Sequence, residues 1–186
     1  NQGCDWATDY AINVSADFFN WDCDGLGVSL KRQVTDSFEG KKIETVMFKG
    51  SESVEQAESI YAPDDKSNIK KPRTNKETFR NKRAQYYWRL RDRFYNTYRA
   101  VIRGEYVNPD DMISLSSNIK HLDKIRSEVC RIPLKPNGNG YIQIMNKQEM
   151  AKIDIASPNM ADSMMMSMLI PSIVPDIEED FSFSGW

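Results

Sequence analysis

The first third of the chain switches between helical and extended patterns of apolar residues. Residues 5–16 carry apolar side chains at helical spacing behind Asp5, which is expected to cap a helix. The stretches "DFFNWD" (17–22) and "KIETVMFKG" (42–50) predict strands, and residues 26–38 between them return to helical spacing. This order of helix, strand, helix and strand with short links predicts a parallel α/β arrangement.

The middle of the chain combines a stretch without periodicity and a long helix. Residues 50–76 contain prolines, several Ser and Asn and charges of both signs, which predicts a mobile loop. Apolar residues then recur at helical spacing over 77–103 until Gly104, which is expected to end the helix. A short helix is expected to begin near Pro109.

The last third predicts a hairpin, two helices and a tail. Alternating runs flank "PNGNG" within residues 130–147, and the Asn-Gly pairs are typical of tight hairpin turns. Short helical patterns follow at 147–154 and 157–170. Residues 171–186 have two prolines and an acidic cluster, which predicts a flexible extension. We therefore expect one domain over residues 1–170 followed by this tail.

Composition limits the class of protein. The chain has 186 residues, a net charge of -2, 40% apolar and 28% charged residues, which is typical of one soluble domain. It has no apolar run long enough for a transmembrane helix. The three cysteines have no CxxC spacing, which argues against a disulfide framework or a zinc site and indicates a reducing compartment. The start has neither an initiator Met nor a signal-peptide pattern, so a fragment of a longer protein is expected.

Two carboxylates stand where chemistry is possible. Asp22 follows a predicted strand and precedes the turn formed by Gly25 and Gly27, and ligands of open α/β sheets bind at that end of the strands. The alternative is that Asp22 or Asp24 only caps the next helix. Asp162 lies early in an apolar, Met-rich helix. A buried carboxylate there must be paired, bound to metal or facing a cleft, unless it lies in solvent at the helix end.

A basic stretch in the middle of the chain is a second functional candidate. Residues 66–93 contain eleven Lys or Arg and only two acids, which is typical of a surface that contacts a phosphate backbone. The alternative is a solvated helix face. The candidate DNA-binding residues are Lys76, Arg80, Lys82, Arg83 and Arg89. Tyr86, Tyr87 and Trp88 are expected to pack in the core, because they occupy helical core positions.

Three segments together resemble one protein family. The segment "SADFFNWDCDGLGVSLKRQ" resembles the D-x-x-G-x-G region of phage large terminases, "NKRAQYYWRLRDRF" resembles their long-helix signature, and "SPNMADSMMMS" resembles their S-P-x-x-A-D-A motif. The resemblance covers about residues 5–170 and is closest to terminases of short-tailed, headful-packaging phages. It implies an α/β nuclease domain with a ribonuclease H-like fold: a central mixed sheet flanked by helices, with an additional β-hairpin.

The resemblance also implies a reaction and its residues. This family's nuclease cuts concatemeric viral DNA at the beginning and end of packaging, using three acids and two Mg2+ or Mn2+ ions, which favour carboxylate ligands. Asp22 matches the second acid and Asp162 the third. Lys147 matches a lysine expected to contact phosphate, and Asn159 stands where some relatives have His. Asp24 is an accessory candidate whose side chain is expected to point away from the metal pair.

The first acid of the family has no match here. It belongs to a strand upstream of the segment that opens this chain, and Asp5 lies too close to Asp22 to replace it. The first strand and the ATPase domain of the same polypeptide are therefore expected upstream, since this chain has no G-x-x-x-x-G-K-[ST] motif. The missing acid keeps a non-catalytic DNA-binding or portal-docking module as an alternative. Another ribonuclease H-like enzyme, such as a junction resolvase or transposase, is a further alternative.

The resemblance finally implies partners and a location. Expected partners are double-stranded viral DNA, the small terminase subunit and the portal protein or procapsid, in the cytoplasm of the host cell and without a membrane. The acidic and aromatic residues of 171–186 are typical of a segment that orders on a protein partner, for which the portal or procapsid is expected. The alternative is that these aromatic residues fold back onto the domain.

Overall fold

The described chain is a mixed α/β domain built from helices and small sheets. The structure is a computed structural model and describes residues 2–61 and 72–169. Its elements are α1 (Gln2–Asn13), β1 (Phe18–Asp22), a 3-10 helix (Gly25–Leu30), α2 (Lys31–Ser37), β2 (Glu44–Phe48), β3 (Ile60–Tyr61), β4 (Arg73–Thr74), α3 (Asn75–Thr78), α4 (Lys82–Arg103), a 3-10 helix (Pro109–Asp111), α5 (Leu122–Val129), α6 (Lys147–Ala151) and α7 (Asn159–Met166).

The N-terminal part has the predicted order and the predicted parallel pairing. Strands β1 and β2 are parallel, and Asp22 lies beside Phe48 at their carboxyl ends. Trp21 and Val34 are buried in the small core that α1, β1 and α2 share. Asp5 was expected to cap α1 but lies within its first turn, where its carboxylate accepts a hydrogen bond from Gln33 Nε2 at 2.5 Å.

Helix α4 crosses the larger core. Tyr86, Tyr87 and Leu90 of this helix are buried against residues of β2, α6 and α7. The predicted helix over 77–103 is divided, because a separate one-turn helix, α3, ends at Thr78 and α4 begins only at Lys82. The side chain of Asn81 caps α4 by accepting the Ala84 N–H at 3.0 Å, and Gly104 ends the helix with a φ of 66° as predicted.

The predicted hairpin is present only as a single antiparallel bridge. Leu134 pairs with Ile144, whereas Ile142, two residues earlier on the return arm, forms a parallel bridge with Phe79. Two prolines in the outgoing arm cannot donate backbone hydrogen bonds, which limits the ladder. The side chain of Asn137 closes the turn by donating to the Tyr141 carbonyl at 2.8 Å.

The sheet content is smaller than the expected central mixed sheet. Within the described residues, regular strands form one parallel pair and one antiparallel pair, β3 with β4. Residues 50–61, expected to belong to a loop, contain β3 and pack against the following helices. The Asn75 side chain donates to the carbonyls of Glu55 and Gln56, and these tertiary bonds have no local sequence signal. The tail, residues 171–186, lies outside the described residues.

Candidate functional site

Two aspartates from distant parts of the chain line one cavity. Asp22 ends β1 and is exposed, whereas Asp162 lies in the first turn of α7 and is only 9% exposed. Both line a cavity of about 470 Å³, together with Arg83, Asn146 and Lys147. The structure therefore brings together the two acids that were predicted to converge, and their catalytic roles stay predictions.

The turn after β1 fixes the position of Asp22. Asp22 Oδ1 accepts a hydrogen bond from the Asp24 N–H at 2.9 Å. The 3-10 helix then passes so close to the strand that a Cβ on Gly27 would lie 1.8 Å from the carbonyl oxygen of Asp22. Glycine is needed at this position because the backbones approach so closely. The second glycine of the D-x-x-G-x-G pattern thus keeps Asp22 at the cavity.

Asp24 joins the loops that follow the two parallel strands. Its carboxylate accepts hydrogen bonds from the Ser51 N–H at 3.1 Å and from the Ser51 hydroxyl at 2.8 Å. Asp24 also lines the same cavity, because β1 and β2 are parallel neighbours and both of their following loops lie at one edge. Its carboxylate is occupied by Ser51, and the expectation that it points away from the metal pair stays a prediction.

Asp162 is held by three side chains. Its Oδ1 accepts hydrogen bonds from the Tyr87 hydroxyl at 2.6 Å and from Arg83 Nη2 at 3.2 Å, and its Oδ2 lies 3.7 Å from Lys147 Nζ. Arg83 also donates through Nη1 to the Met145 carbonyl at 2.9 Å. Burial, together with the negative charge of Asp162, raises the pKa of Tyr87 well above its usual range. Tyr87 is therefore a neutral donor at physiological pH.

Other elements hold both ends of α7. At its start, the carboxylate of Glu128, on α5, accepts the N–H groups of Met160 at 2.8 Å and Ala161 at 3.1 Å. At its end, Asn20 of β1 donates through Nδ2 to the carbonyl of Met166, the last residue of α7, at 3.3 Å and to the carbonyl of Leu169 just beyond it at 2.8 Å. The helix that carries Asp162 is thus tied to the strand that carries Asp22.

Several of the predicted DNA-binding residues pair with carboxylates of the domain. Glu55 accepts hydrogen bonds from Tyr86 at 2.6 Å and Arg89 at 3.1 Å, and it lies 2.9 Å from Lys82, whose side chain is only 11% exposed. Burial opposes ionisation of Glu55, but the bonds from Tyr86 and Lys82 outweigh it and lower the pKa of Glu55. Glu55 thereby ties the segment after β2 to α4.

The remaining basic candidates differ in their surroundings. Arg83 faces Asp162, as described above, and Lys76 forms an exposed ion pair with Glu58 at 2.5 Å. Arg80 is exposed just before α4. Asn159 lies outside the cavity lining among the described residues, and its side chain accepts a hydrogen bond from Ser157 at 2.8 Å. The basic stretch is therefore not one continuous free surface.

The donor set fits a hard divalent cation. Asp22, Asp24 and Asp162 all line the cavity, and carboxylate oxygens are the ligands that Mg2+ and Mn2+ favour. Within residues 2–61 and 72–169, however, no three His, Cys, Asp or Glu side chains gather closely enough to hold a metal ion together. A complete site would need a further donor beside these carboxylates.

Sequence reasoning missed the residues that hold Asp162. Arg83 was read as a contact for DNA and Tyr87 as core packing. The available signal was spacing: Lys82 with Tyr86, and Arg83 with Tyr87, are two adjacent pairs four residues apart, so each pair shares one side of α4. Which carboxylate each pair meets is decided by tertiary contacts, so the sequence alone does not reveal it.

Comparison with solved structures identifies the relatives of this domain. The nuclease domain of the large terminase subunit gp2 of bacterial virus Sf6 is 47% identical, has a TM-score of 0.82 and matches over 91% of this chain and 72% of that chain. A lysine-to-alanine variant of that domain with manganese and beta-thujaplicinol is 46% identical, with a TM-score of 0.84 over 92% and 73%. A variant with calcium is 47% identical, with a TM-score of 0.82 over 91% and 72%.

The described residues form a mixed α/β domain that is similar to these terminase nuclease domains. The chain belongs to the family of nuclease domains of phage large terminase subunits.

No family model matches the chain. No curated protein matches it either. In the described part of the chain, every helix is too short or too polar to span a membrane.

Proposed function

We propose that this domain is a metal-dependent DNA endonuclease of a viral packaging motor, which cuts concatemeric double-stranded DNA when packaging begins and ends. The observation that carries the proposal is the meeting of Asp22 and Asp162 at one cavity in a chain of the terminase nuclease family. Related domains contain manganese or calcium, which supports a divalent cation as the cofactor.

Asp22 and Asp162 are the residues that would hold the metal. Two ions such as Mg2+ or Mn2+, when bound, would supply an activated water and a positive charge near the leaving oxygen of the phosphodiester. Asp22 is held by the Asp24 N–H, and Asp162 is held by Arg83 and Tyr87, so both carboxylates are oriented before a ligand arrives. Pre-oriented ligands lower the cost of forming the site.

Lys147 is proposed to contact the phosphate of the DNA. Its side chain is 54% exposed at the cavity and lies 3.7 Å from Asp162 Oδ2, so it has both solvent access and proximity to the acids. A lysine ammonium in this place offers three donors to phosphate oxygens. Replacing Lys147 by Ala should reduce the rate of DNA cleavage while Tm stays near the wild-type value. A loss of cleavage that is accompanied by an equally marked fall in Tm would contradict the assignment.

The test is nicking of a supercoiled plasmid by the full chain. Wild-type protein should nick DNA with Mn2+ or Mg2+ and stay inactive after chelation. Asp22→Asn and Asp162→Asn should each remove the activity while Tm stays near the wild-type value. Asp123→Asn is the matched control, because the Asp123 side chain is 94% exposed on α5. Activity in either site variant equal to that of the control would refute the assignment.

A non-catalytic DNA-binding or docking module is the second candidate. It is favoured by the small number of acids that meet at the cavity in the described part of the chain. The same experiment separates the two functions: DNA binding without metal-dependent nicking would support the module. If an upstream segment that contributes an acid then restored nicking, the nuclease function would be assigned to the longer protein.

The wider setting is also part of the proposal. We assign residues 1–170 to a ribonuclease H-like nuclease domain that works with an upstream ATPase domain, the small terminase subunit and the portal or procapsid in the host cytoplasm. Residues 171–186 are assigned to portal docking because of their acidic and aromatic sequence. Deleting 172–186 should abolish portal capture and leave nicking unchanged; a truncated chain that still captures portal would refute the docking role.

A further inference from the structure

Helix α4 carries two phenol–carboxylate hydrogen bonds side by side. Tyr87 donates to Asp162 Oδ1 at 2.6 Å, and Tyr86 donates to Glu55 Oε2 at 2.6 Å. Both tyrosines are buried, with 6% and 1% exposure. The two bonds have the same chemistry and length, but of the two carboxylates only Asp162 lines the cavity, whereas Glu55 ties the segment after β2 to α4.

We propose that Tyr87, together with Arg83, is a positioning residue that orients Asp162 toward the metal, and this inference rests on the proposed nuclease function. Both donors act on the same oxygen, Oδ1, and so leave Oδ2 directed toward Lys147. Because two donors hold Oδ1, the plane of the Asp162 carboxylate is fixed. Its second oxygen is therefore presented to a cation in one orientation.

The arrangement around Arg83 supports this role. Arg83 spans the Met145 carbonyl and Asp162, so its guanidinium is anchored on backbone while it contacts the carboxylate. The same guanidinium lies over the Tyr87 ring, 5.3 Å from its centroid. Arg83 and Tyr87 therefore pack against each other, and both lie in the first turns of α4. Rigid support of this kind is what precise metal ligation requires.

A substitution of Tyr87 changes the orientation of Asp162 without changing the charge of the site. Removing a nearby cation such as Arg83 would change the electrostatic attraction for a metal ion as well as the orientation of Asp162. Tyr87 is neutral, so Tyr87→Phe removes one hydrogen bond and leaves the net charge of the site unchanged. Loss of a hydrogen-bond partner of a metal ligand typically costs about 10–100-fold in metal affinity or activity.

The experiment is a Mn2+ titration of the full chain by isothermal calorimetry, without DNA. Tyr87→Phe should weaken Mn2+ binding by about tenfold or more. The matched control Tyr86→Phe loses the equivalent bond to Glu55 and should keep the wild-type Mn2+ affinity. Tm measured without metal should fall by a similar amount in both variants, because each loses one bond of the same kind.

A second variant covers the case in which Tyr87→Phe does not fold. Arg83→Lys keeps the positive charge but lacks the forked donors that reach both Met145 and Asp162, so it should also weaken Mn2+ binding. Unchanged Mn2+ affinity in the folded variants, or an equal loss in Tyr86→Phe, would overturn the positioning role. Failure of the wild-type chain to bind Mn2+ would instead refute the proposed metal site, and nicking that stays absent even after an upstream acid is supplied would refute the nuclease function itself.

Discussion

Glu128 offers the sharpest test of how the site is built. Helix α7 has no side-chain cap of its own, because Pro158 occupies its N-cap position. Glu128 of α5 supplies the missing acceptor from another part of the chain, through bonds of 2.8 Å to the Met160 N–H and 3.1 Å to the Ala161 N–H. We therefore expect Glu128→Ala to loosen the start of the helix that carries Asp162.

The expected magnitude follows from these contacts. Loss of a cap costs about 0.5–2 kcal/mol, and loss of a negative charge at a helix start costs about 0.3–1 kcal/mol. Ala161 is 0% exposed, so water cannot readily replace the lost acceptor at its N–H. Glu128→Ala should therefore lower the free energy of unfolding by about 1–3 kcal/mol. For a chain of this size, Tm should fall by about 2–12 °C.

Thermal unfolding followed by circular dichroism measures this change, and hydrogen exchange locates it. The amides of Met160 and Ala161 should exchange faster in Glu128→Ala. Glu128→Gln keeps an acceptor oxygen and should lose only about 1 kcal/mol or less. Asp123→Ala on the exposed side of α5 should change stability by about 0.5 kcal/mol or less. The capping role is refuted if the Tm of Glu128→Ala equals that of Asp123→Ala. It is also refuted if Glu128→Gln is as unstable as Glu128→Ala.

Three further predictions test other parts of the domain. Gly27→Ala should cost at least about 2 kcal/mol in urea unfolding, because its Cβ would lie 1.8 Å from a backbone oxygen, whereas Gly138→Ala meets open space and should cost about 0.5 kcal/mol or less. Since the pKa of Glu55 is lowered in the fold, wild type should exceed Glu55→Gln in stability at about pH 7, and the difference should shrink as pH falls below about 4; an unchanged difference contradicts this. Arg80→Ala should reduce the salt dependence of DNA binding by about 0.9 in slope, since Arg80 is exposed, whereas Arg89→Ala should lower Tm and leave the slope unchanged. Equal salt-dependence slopes for the two variants would show that Arg80 does not contact DNA.

The sequence predicted the elements whose signals are local. Strand β1 ends at Asp22, as its local pattern predicts. Helix α4 ends at Gly104, where a single residue with positive φ is enough to stop the helix. The same local reasoning extended α4 backward to residue 77. The bridge between Phe79 and Ile142 holds the chain extended there, and a contact between such distant residues has no local pattern.

The basic stretch shows where composition stops being informative. Its lysines and arginines are as suitable for phosphate as for carboxylates, so their number alone cannot choose between a DNA surface and internal ion pairs. The choice is made by Glu55 and Asp162. Glu55 lies in a segment without periodicity, and Asp162 lies on a distant helix. Their positions depend on the whole fold.

The geometry of the two acids therefore depends on tertiary contacts more than on helix propensity. Helix α7 has only eight residues, and an isolated helix of that length is not stable in water. Its start is capped by Glu128 and its end by Asn20, which lies on β1 two positions before Asp22. A displacement of β1 would therefore move the support of Asp162 as well as Asp22. It follows that weakening either cap should disturb the cavity at a lower temperature than the one at which the rest of the domain unfolds.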